Sequence, residues 1–303
     1  MTLEVPVVVL DAATAPAEID AACRSAGFFG IVGHGVDRDL LDRFFDATYA
    51  FFDQPDWAKA AVPGPRPGLQ RGYTRVGGEA QSLAHGVVTG PELSEHFASS
   101  RFEDTNVWPS DPVFVAVWKE AFAALDALAM RVVRSCARAL DLPDTFFDDK
   151  VDRSPGTMRA NHYPALDSAP PPGSTRGGAH TDYGTITLLR TDGVAGLEIG
   201  DVDGSWHPVP TVHDGFVVNI GDLLARWTND RWRSTWHRVV LPPGGPPWPR
   251  RLSLAFFQAP NPDTVIDCLP TCRPEGEDPR HDPVVAGDWF DSKIRSIYVG
   301  GPP

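Results

Sequence analysis

The sequence predicts an α+β chain, mainly β in its second half, with helices packed around a β-barrel or sandwich. Three observations carry this. From Pro155 onward, short β-type segments recur between Gly- and Pro-rich turns, at 157–163, 185–190, 196–199, 216–220, 235–241, 251–257 and 264–268, which is the pattern of a sandwich or barrel. Ahead of them, 112–141 reads as one long helix. Phe114, Trp118, Phe122, Leu125, Leu128, Val132, Cys136 and Leu140 recur at steps of three or four, and Lys119, Glu120, Asp126 and Arg131 break up the other face. Such a stripe usually backs a sheet. Third, 303 residues with 42% hydrophobic content are enough for one large domain or two small ones of ordinary globular composition.

Taken in order, residues 5–10 form a short strand. A helix follows over 16–26, with Thr14 as its cap and Pro16 in its first turn. Phe28-Phe29-Gly30-Ile31-Val32 read as a buried strand ended by Gly33-His34-Gly35. Asp37 caps a helix that runs to Phe52, with Leu40, Leu41, Phe44, Phe45 and Phe51 on its apolar face. Residues 63–110 open on Pro63-Gly64-Pro65-Arg66-Pro67-Gly68 and stay irregular; a loop of that length in a compact chain is usually a lid or a binding wall. The expected division is an N-terminal region of helices, strands and lid-like loop over 1–110, a backing helix and linker over 111–150, and a β core over 151–303.

A net charge of −13 argues against a nucleic-acid partner, which needs a basic surface, and reads as solubility. Met1-Thr2-Leu3-Glu4-Val5-Pro6 lacks the basic start and apolar stretch of a signal peptide. No run approaches the length of a membrane span. A cytoplasmic location is therefore expected, with neither membrane nor nucleic acid as a partner; oligomeric state is not legible. Four cysteines are too few for a disulfide scaffold. Cys268 and Cys272 form a C-x3-C pair that no second pair completes into a zinc site, so all four are expected to be reduced and structural.

The chemistry centres on His180-Thr181-Asp182 and on His237 in Ser234-Thr235-Trp236-His237-Arg238-Val239. Two imidazoles and a carboxylate can hold one metal on one face and leave the other open, the donor set of non-heme Fe(II) oxygenases. His180 and Asp182 stand at the start of the 185–190 strand, and extended residues two apart point the same way. His237 comes from a separate strand. Arg251-Leu252-Ser253 repeats the two-residue spacing, and a guanidinium fork plus a hydroxyl is a clamp for one carboxylate. The flanking Leu252, Leu254, Phe256 and Phe257 mark an inner strand, where an unpaired Arg is costly and a bound carboxylate removes that cost. Arg250 competes but has no Ser at the right offset. In Arg159-Ala160-Asn161-His162-Tyr163-Pro164, Asn161 and Tyr163 share a face, and His162 points the other way and is not a ligand. Trp206, Trp227 and Trp232 read as packing residues, and Trp236 should face away from the metal.

These stretches together resemble the plant-type, isopenicillin N synthase-like family of Fe(II)/2-oxoglutarate dioxygenases. The matching residues, in the same order, are Gly27-Phe28-Phe29-Gly30-Ile31-Val32-Gly33-His34-Gly35, Asn106-Val107-Trp108-Pro109, Asn161-His162-Tyr163-Pro164, His180-Thr181-Asp182-Tyr183-Gly184-Thr185-Ile186-Thr187-Leu188-Leu189, Asn219-Ile220-Gly221-Asp222, Trp227-Thr228-Asn229, His237-Arg238-Val239 and Arg251-Leu252-Ser253. The resemblance implies a distorted double-stranded β-helix (jelly-roll) core flanked by helices. It implies Fe(II) on His180, Asp182 and His237, with O2 as oxidant. It implies 2-oxoglutarate with its distal carboxylate on Arg251 and Ser253, Tyr163 assisting and Asn161 nearby, and it makes His34 a turn residue. The implied reaction turns 2-oxoglutarate into succinate and CO2 while an unactivated C–H bond of a small molecule, such as a natural-product intermediate, is hydroxylated, desaturated or cyclised. Arg71-Gly72-Tyr73 resembles a family loop near the pocket, which makes Arg71, Tyr73 and Phe97 candidate substrate contacts. The chain departs from the family at Arg190-Thr191-Asp192, where Gln-Asp is common, and in the Pro/Gly-rich insert from Pro242 to Pro249. The short stretch after Tyr298 does not suit a long closing helix.

Three other readings compete. A 2-oxoglutarate-independent Fe(II) oxidase of the same superfamily would release no succinate. A catalytically silent binding protein would fail to bind Fe(II). A zinc hydrolase is disfavoured because no H-E-x-x-H helix or general base accompanies the three ligands.

Overall fold

The computed structural model describes residues 3–62, 71–78 and 92–297. Strand β1 (Val7–Val9), helix α1 (Ala15–Ser25), strand β2 (Phe28–Val32) and helix α2 (Arg38–Phe52) follow the order the sequence predicts. Asp37 caps α2 by accepting from the Asp39 amide at 3.0 Å. Thr14 precedes α1 but its side chain makes no capping bond. A short helix α3 (Asp56–Lys59) closes this part.

Within 63–110 the expectation of irregular chain needs correction. Residues 72–74 form β3 (Gly72–Thr74) and 95–100 form β4 (Glu95–Ser100), a fully buried strand. Glu95-His96-Phe97-Ala98-Ser99-Ser100 shows no polar–apolar alternation because its polar residues are themselves buried and paired. Residues 63–70 and 79–91 lie outside the described residues, and with them most of the expected lid.

Helix α4 (Pro112–Ala139) starts on an Asp111 cap, whose carboxylate accepts from the Val113 amide at 2.9 Å. It stops two residues short of the predicted end. Asp141 takes a left-handed φ of 57°, and the Leu142 amide returns to the Ala137 carbonyl, a turn that closes helix ends. Its buried stripe of Phe114, Trp118, Ala121, Leu125, Leu128, Val132 and Cys136 belongs to the main core. A short α5 (Asp148–Val151) leads into the β region.

That region contains β5 (Thr157–Tyr163), β6 (Gly177–His180), β7 (Ile186–Thr191), β8 (Leu197–Gly200), β9 (Trp206–Pro208), β10 (Phe216–Ile220), α6 (Asp222–Trp227), β11 (His237–Val239), β12 (Arg251–Gln258), β13 (Val265–Ile266), β14 (Val284–Val285) and α7 (Ala286–Ile297). Local sequence does not predict β6, β9, α6, β14 or α7. β6 reads Gly-Gly-Ala-His and offers no pattern, and the others are short or have polar faces. The strands form an eight-stranded sheet, β1-β2-β10-β7-β12-β5-β4-β3, and a four-stranded sheet, β6-β11-β8-β9. Their faces enclose a cavity, giving the jelly-roll architecture with helices outside.

Strand β12 shows how the two layers share residues. Leu252, Leu254 and Phe256 are fully buried in the core that holds α4, and Phe256 meets Phe122 edge-on with centroids 5.2 Å apart. Arg251, Ser253, Ala255 and Phe257 alternate with them and line the cavity. The period of two in a strand sends alternate side chains to opposite faces.

Candidate functional site

His180 is the last residue of β6, and its antiparallel partner across the ladder to β11 is His237. The two rings lie 4.2 Å apart, centroid to centroid. Asp182 stands in the loop after β6. His180 therefore belongs to the smaller sheet rather than to the start of the β7 strand, as the sequence suggested. One donor atom from each of His180, Asp182 and His237 lies within 4.8 Å of the others, and among the described residues this is the one group of three or more such side chains. Asp182 and His237 are buried and His180 nearly so.

The hydrogen bonds around these residues set their orientation. His180 Nδ1 faces the Gly178 carbonyl at 2.8 Å, and His237 Nδ1 faces the Thr235 carbonyl at 3.2 Å. A carbonyl only accepts, so each Nδ1 carries the proton and each Nε2 presents a lone pair. The two Nε2 atoms lie 3.9 and 3.8 Å from Asp182 Oδ1. The other carboxylate oxygen is held by the protein: Asn219 Nδ2 donates to Oδ2 at 2.7 Å and Thr187 Oγ1 at 2.5 Å. Thr187 and Asn219 are register partners on β7 and β10, which is why both reach one oxygen. Burial opposes ionisation of Asp182, but the positive charge that the His237 and His180 rings carry when protonated, with the bonds from Asn219 and Thr187, holds its carboxyl below the usual range. The backbone is equally confined. A Cβ on Gly221 would meet the Gly184 carbonyl oxygen at 2.4 Å, so only glycine lets the start of α6 approach the Asp182 loop, where the Asp222 amide donates to the Asp182 carbonyl at 2.7 Å.

The same cavity reaches Arg251, Ser253, Tyr163 and Asn161. Arg251 is 1% exposed. Its guanidinium lies 4.9 Å from the centroid of Tyr163, its register partner on β5, and its Nε donates to the Val194 carbonyl at 3.1 Å. Arg251 Nη1 is buried with no hydrogen-bond partner. An unpaired guanidinium N–H in a cavity wall is a demand for an anion. Asn161 Oδ1 accepts from Arg159 Nε at 2.6 Å, which fixes both on the cavity wall. Arg250, just before β12, pairs with Asp53 at 2.9 Å and covers Tyr49, away from the cavity wall that Arg251 lines.

Two candidate substrate contacts lie away from the described cavity wall. Phe97 is fully buried among Phe51, Phe114 and Trp118. Tyr73, its partner across the β3–β4 ladder, donates its hydroxyl to Glu95 at 2.6 Å. Both lie on the face of the sheet that packs against the helices. Arg71 is half-buried, donates from Nη1 to Thr157 Oγ1 at 3.5 Å and is not part of the described cavity wall. The wall instead carries Glu92, Ser94, Arg159 and Arg176, none of which the sequence singled out. Arg159 and Asn161 share a strand face by the spacing rule that revealed Tyr163, so that signal was present. Arg176 had none, since it precedes a strand without a pattern.

His162 points away from the cavity, stacks on Phe52 and bonds Glu95 through Nδ1 at 2.8 Å. His34 holds its turn through the Asp214 carbonyl and the Val36 amide. Trp227 and Trp232 are buried and Trp236 is exposed at the surface. All four cysteines are free, and burial pushes the Cys136 thiol up to about 12. No helix among the described residues is long and apolar enough to cross a membrane.

Comparison with known proteins agrees with this geometry. Residues 155–260 match the family model of the 2OG-Fe(II) oxygenase superfamily, and residues 5–111 match the model described as non-haem dioxygenase in morphine synthesis N-terminal. A 2-oxoglutarate-Fe(II) type oxidoreductase of Emericella nidulans is 34% identical over 297 residues, covering 93% of this chain and 84% of that protein. A proline hydroxylase of Petromyces alliaceus is 32% identical over 293 residues, covering 92% of each. Among solved structures, a full-length Neurospora crassa protein in complex with alpha-KG and thymine superposes with a TM-score of 0.86 at 29% identity, covering 96% of each chain.

Proposed function

Because this chain belongs to the 2OG-Fe(II) oxygenase superfamily, we propose that it oxidises an unactivated C–H bond of a small molecule, a natural-product intermediate, at a centre built from His180, Asp182 and His237. It is an oxidoreductase that uses Fe(II), 2-oxoglutarate and O2. One observation carries the residue-level reading. A single cavity is lined both by three residues whose metal-type donor atoms lie within 4.8 Å of one another and by Arg251, whose buried Nη1 has no partner. An iron-chelated keto acid with a distal carboxylate suits both. A 2-oxoglutarate-independent oxidase would leave Arg251 Nη1 without an anion, which counts against it.

When bound, the iron, the keto acid and O2 together supply oxidative decarboxylation coupled to two-electron oxidation of the substrate. The chain's part is placement. The Gly178 and Thr235 carbonyls fix the imidazole tautomers, and such outer bonds commonly tune metal affinity. Asn219 and Thr187 turn Asp182 Oδ1 toward the two Nε2 atoms. Arg251 and Ser253, on the cavity wall beside Tyr163, would hold the distal carboxylate. Phe28, Leu189, Leu197 and Val239 line the wall and keep water from the reacting centre. The acidic surface favours a small-molecule substrate over nucleic acid, and the related proline hydroxylase also takes a small substrate.

The test is anaerobic titration of Fe(II)-loaded protein with 2-oxoglutarate, followed by its visible metal-to-ligand charge-transfer band. A saturable band in the wild type and its loss in Arg251→Ala at matched concentration are expected. Fe(II) binding without a band would overturn the co-substrate reading. Succinate release across a panel of small molecules then identifies the substrate.

A further inference from the structure

Arg176 is fully buried and lines the same cavity as the three metal-type residues. Its one hydrogen bond runs from Nη2 to the Pro249 carbonyl, at 2.5 Å, and both Nε and Nη1 are buried without a partner. No side-chain carboxylate among the described residues pairs with it. Its guanidinium lies 6.0 Å from the centroid of the Tyr163 ring, the ring that also carries Arg251 at 4.9 Å. Two buried cations thus converge on one aromatic ring from different sheets. Arg251 comes from β12 of the large sheet. Arg176 directly precedes β6 of the small one, and the far end of β6 carries His180.

Burial and the neighbouring Arg251 both work against the charge of Arg176, which the Asp192 carboxylate only partly offsets, and both guanidiniums keep buried N–H groups without a partner. A ligand anion at the Tyr163 end of the cavity relieves both. Arg176 and His180 stand at opposite ends of β6, so the ligand anion suited to both arginines is the one away from the metal.

We infer that Arg176 is a second anchor for the distal carboxylate of the co-substrate, so that guanidiniums from both sheets close on that group with Tyr163 beneath them. This rests on the co-substrate reading of Arg251 given above. It makes the site selective for a 2-oxo acid that carries a second carboxylate. It also couples the Pro242–Pro249 insert to co-substrate binding, because Pro249 holds the outer edge of Arg176.

The test compares two keto acids that share the chelating end, 2-oxoglutarate and 2-oxobutyrate, by anaerobic titration of the Fe(II)-loaded protein and by calorimetry on Mn(II)-loaded protein. In Arg176→Met, the Kd for 2-oxoglutarate is expected to rise about ten- to a hundredfold, the range for losing a bond between charged groups, while that for 2-oxobutyrate stays the same. Arg176→Gln, which keeps a donor for the Pro249 carbonyl, is read in the same way if the Met variant folds poorly. Unchanged 2-oxoglutarate affinity would overturn the inference, and so would equal weakening of both acids. Loss of substrate affinity alone would also overturn it, by assigning Arg176 to a substrate anion. Arg251→Met is the control: if it too leaves 2-oxoglutarate binding intact, the co-substrate reading beneath the inference has failed.

Discussion

Asn219 Nδ2 donates to Asp182 Oδ2 at 2.7 Å, and this bond, shared with Thr187, determines which carboxylate oxygen faces the two imidazoles. Without it the carboxylate can rotate about its terminal torsion, which has broad minima. Asn219→Ala is therefore expected to weaken Fe(II) or Mn(II) binding about ten- to a hundredfold, with the fold retained. Metal titration of the apo protein measures this; an unchanged metal Kd would remove Asn219 from the site.

Arg250 and Arg251 are adjacent in sequence, but Arg251 opens β12 and lines the cavity, whereas Arg250, just before the strand, is exposed and pairs with Asp53. Arg250→Ala loses an exposed pair with Asp53 and should cost about 0–1 kcal/mol of stability, with 2-oxoglutarate affinity changed less than about twofold. Arg251→Ala should weaken 2-oxoglutarate binding by about tenfold or more. Equal effects from the two substitutions would contradict this placement.

Phe97 packs against Phe51, Phe114 and Trp118 with no exposure. Phe97→Ala should destabilise the fold by about 3–5 kcal/mol, leaving the KM of whatever substrate succinate release identifies unaltered in the protein that stays folded. Denaturant unfolding and steady-state kinetics separate the two effects. A raised substrate KM with normal stability would restore Phe97 to the pocket.

Glu95 is buried behind the sheet, where it accepts from Lys59 at 2.8 Å, Tyr73 at 2.6 Å and His162 at 2.8 Å. Burial works against its charge, but the bonds from His162, Lys59 and Tyr73 outweigh that and hold its carboxyl below the ordinary value of 4.5. A depressed folded-state value means that the stabilisation is complete above 4.5 and is lost as pH falls through the folded value. Glu95→Gln should cost about 3 kcal/mol at about pH 7, and its deficit against the wild type should shrink as pH drops below 4.5. A deficit that stays constant down to about pH 3, in urea unfolding at a series of pH values, would rule out this charge network as its source.

The sequence by itself determined what local periodicity and spacing can carry. The stripe of 112–141 announces α4, and the two-residue spacings of Arg251 with Ser253 and Asn161 with Tyr163 bring those side chains to shared faces, because strand geometry repeats every two residues; His180 and Asp182 are brought together by the loop after β6 instead. The motif order along the chain announced the jelly-roll. Tertiary structure alone decided which face is which, and what stands opposite. The phase of β4 against its neighbours turns Phe97 and Tyr73 into the helix-packed core, and its buried polar residues hid the strand altogether. The register of β7 with β10 places Thr187 beside Asn219 over Asp182. Arg176 and Arg251 both come to the Tyr163 ring, although 75 positions (251 − 176) separate them in the chain. Contacts of that kind depend on strand pairing between distant segments, and no local pattern of residues records it.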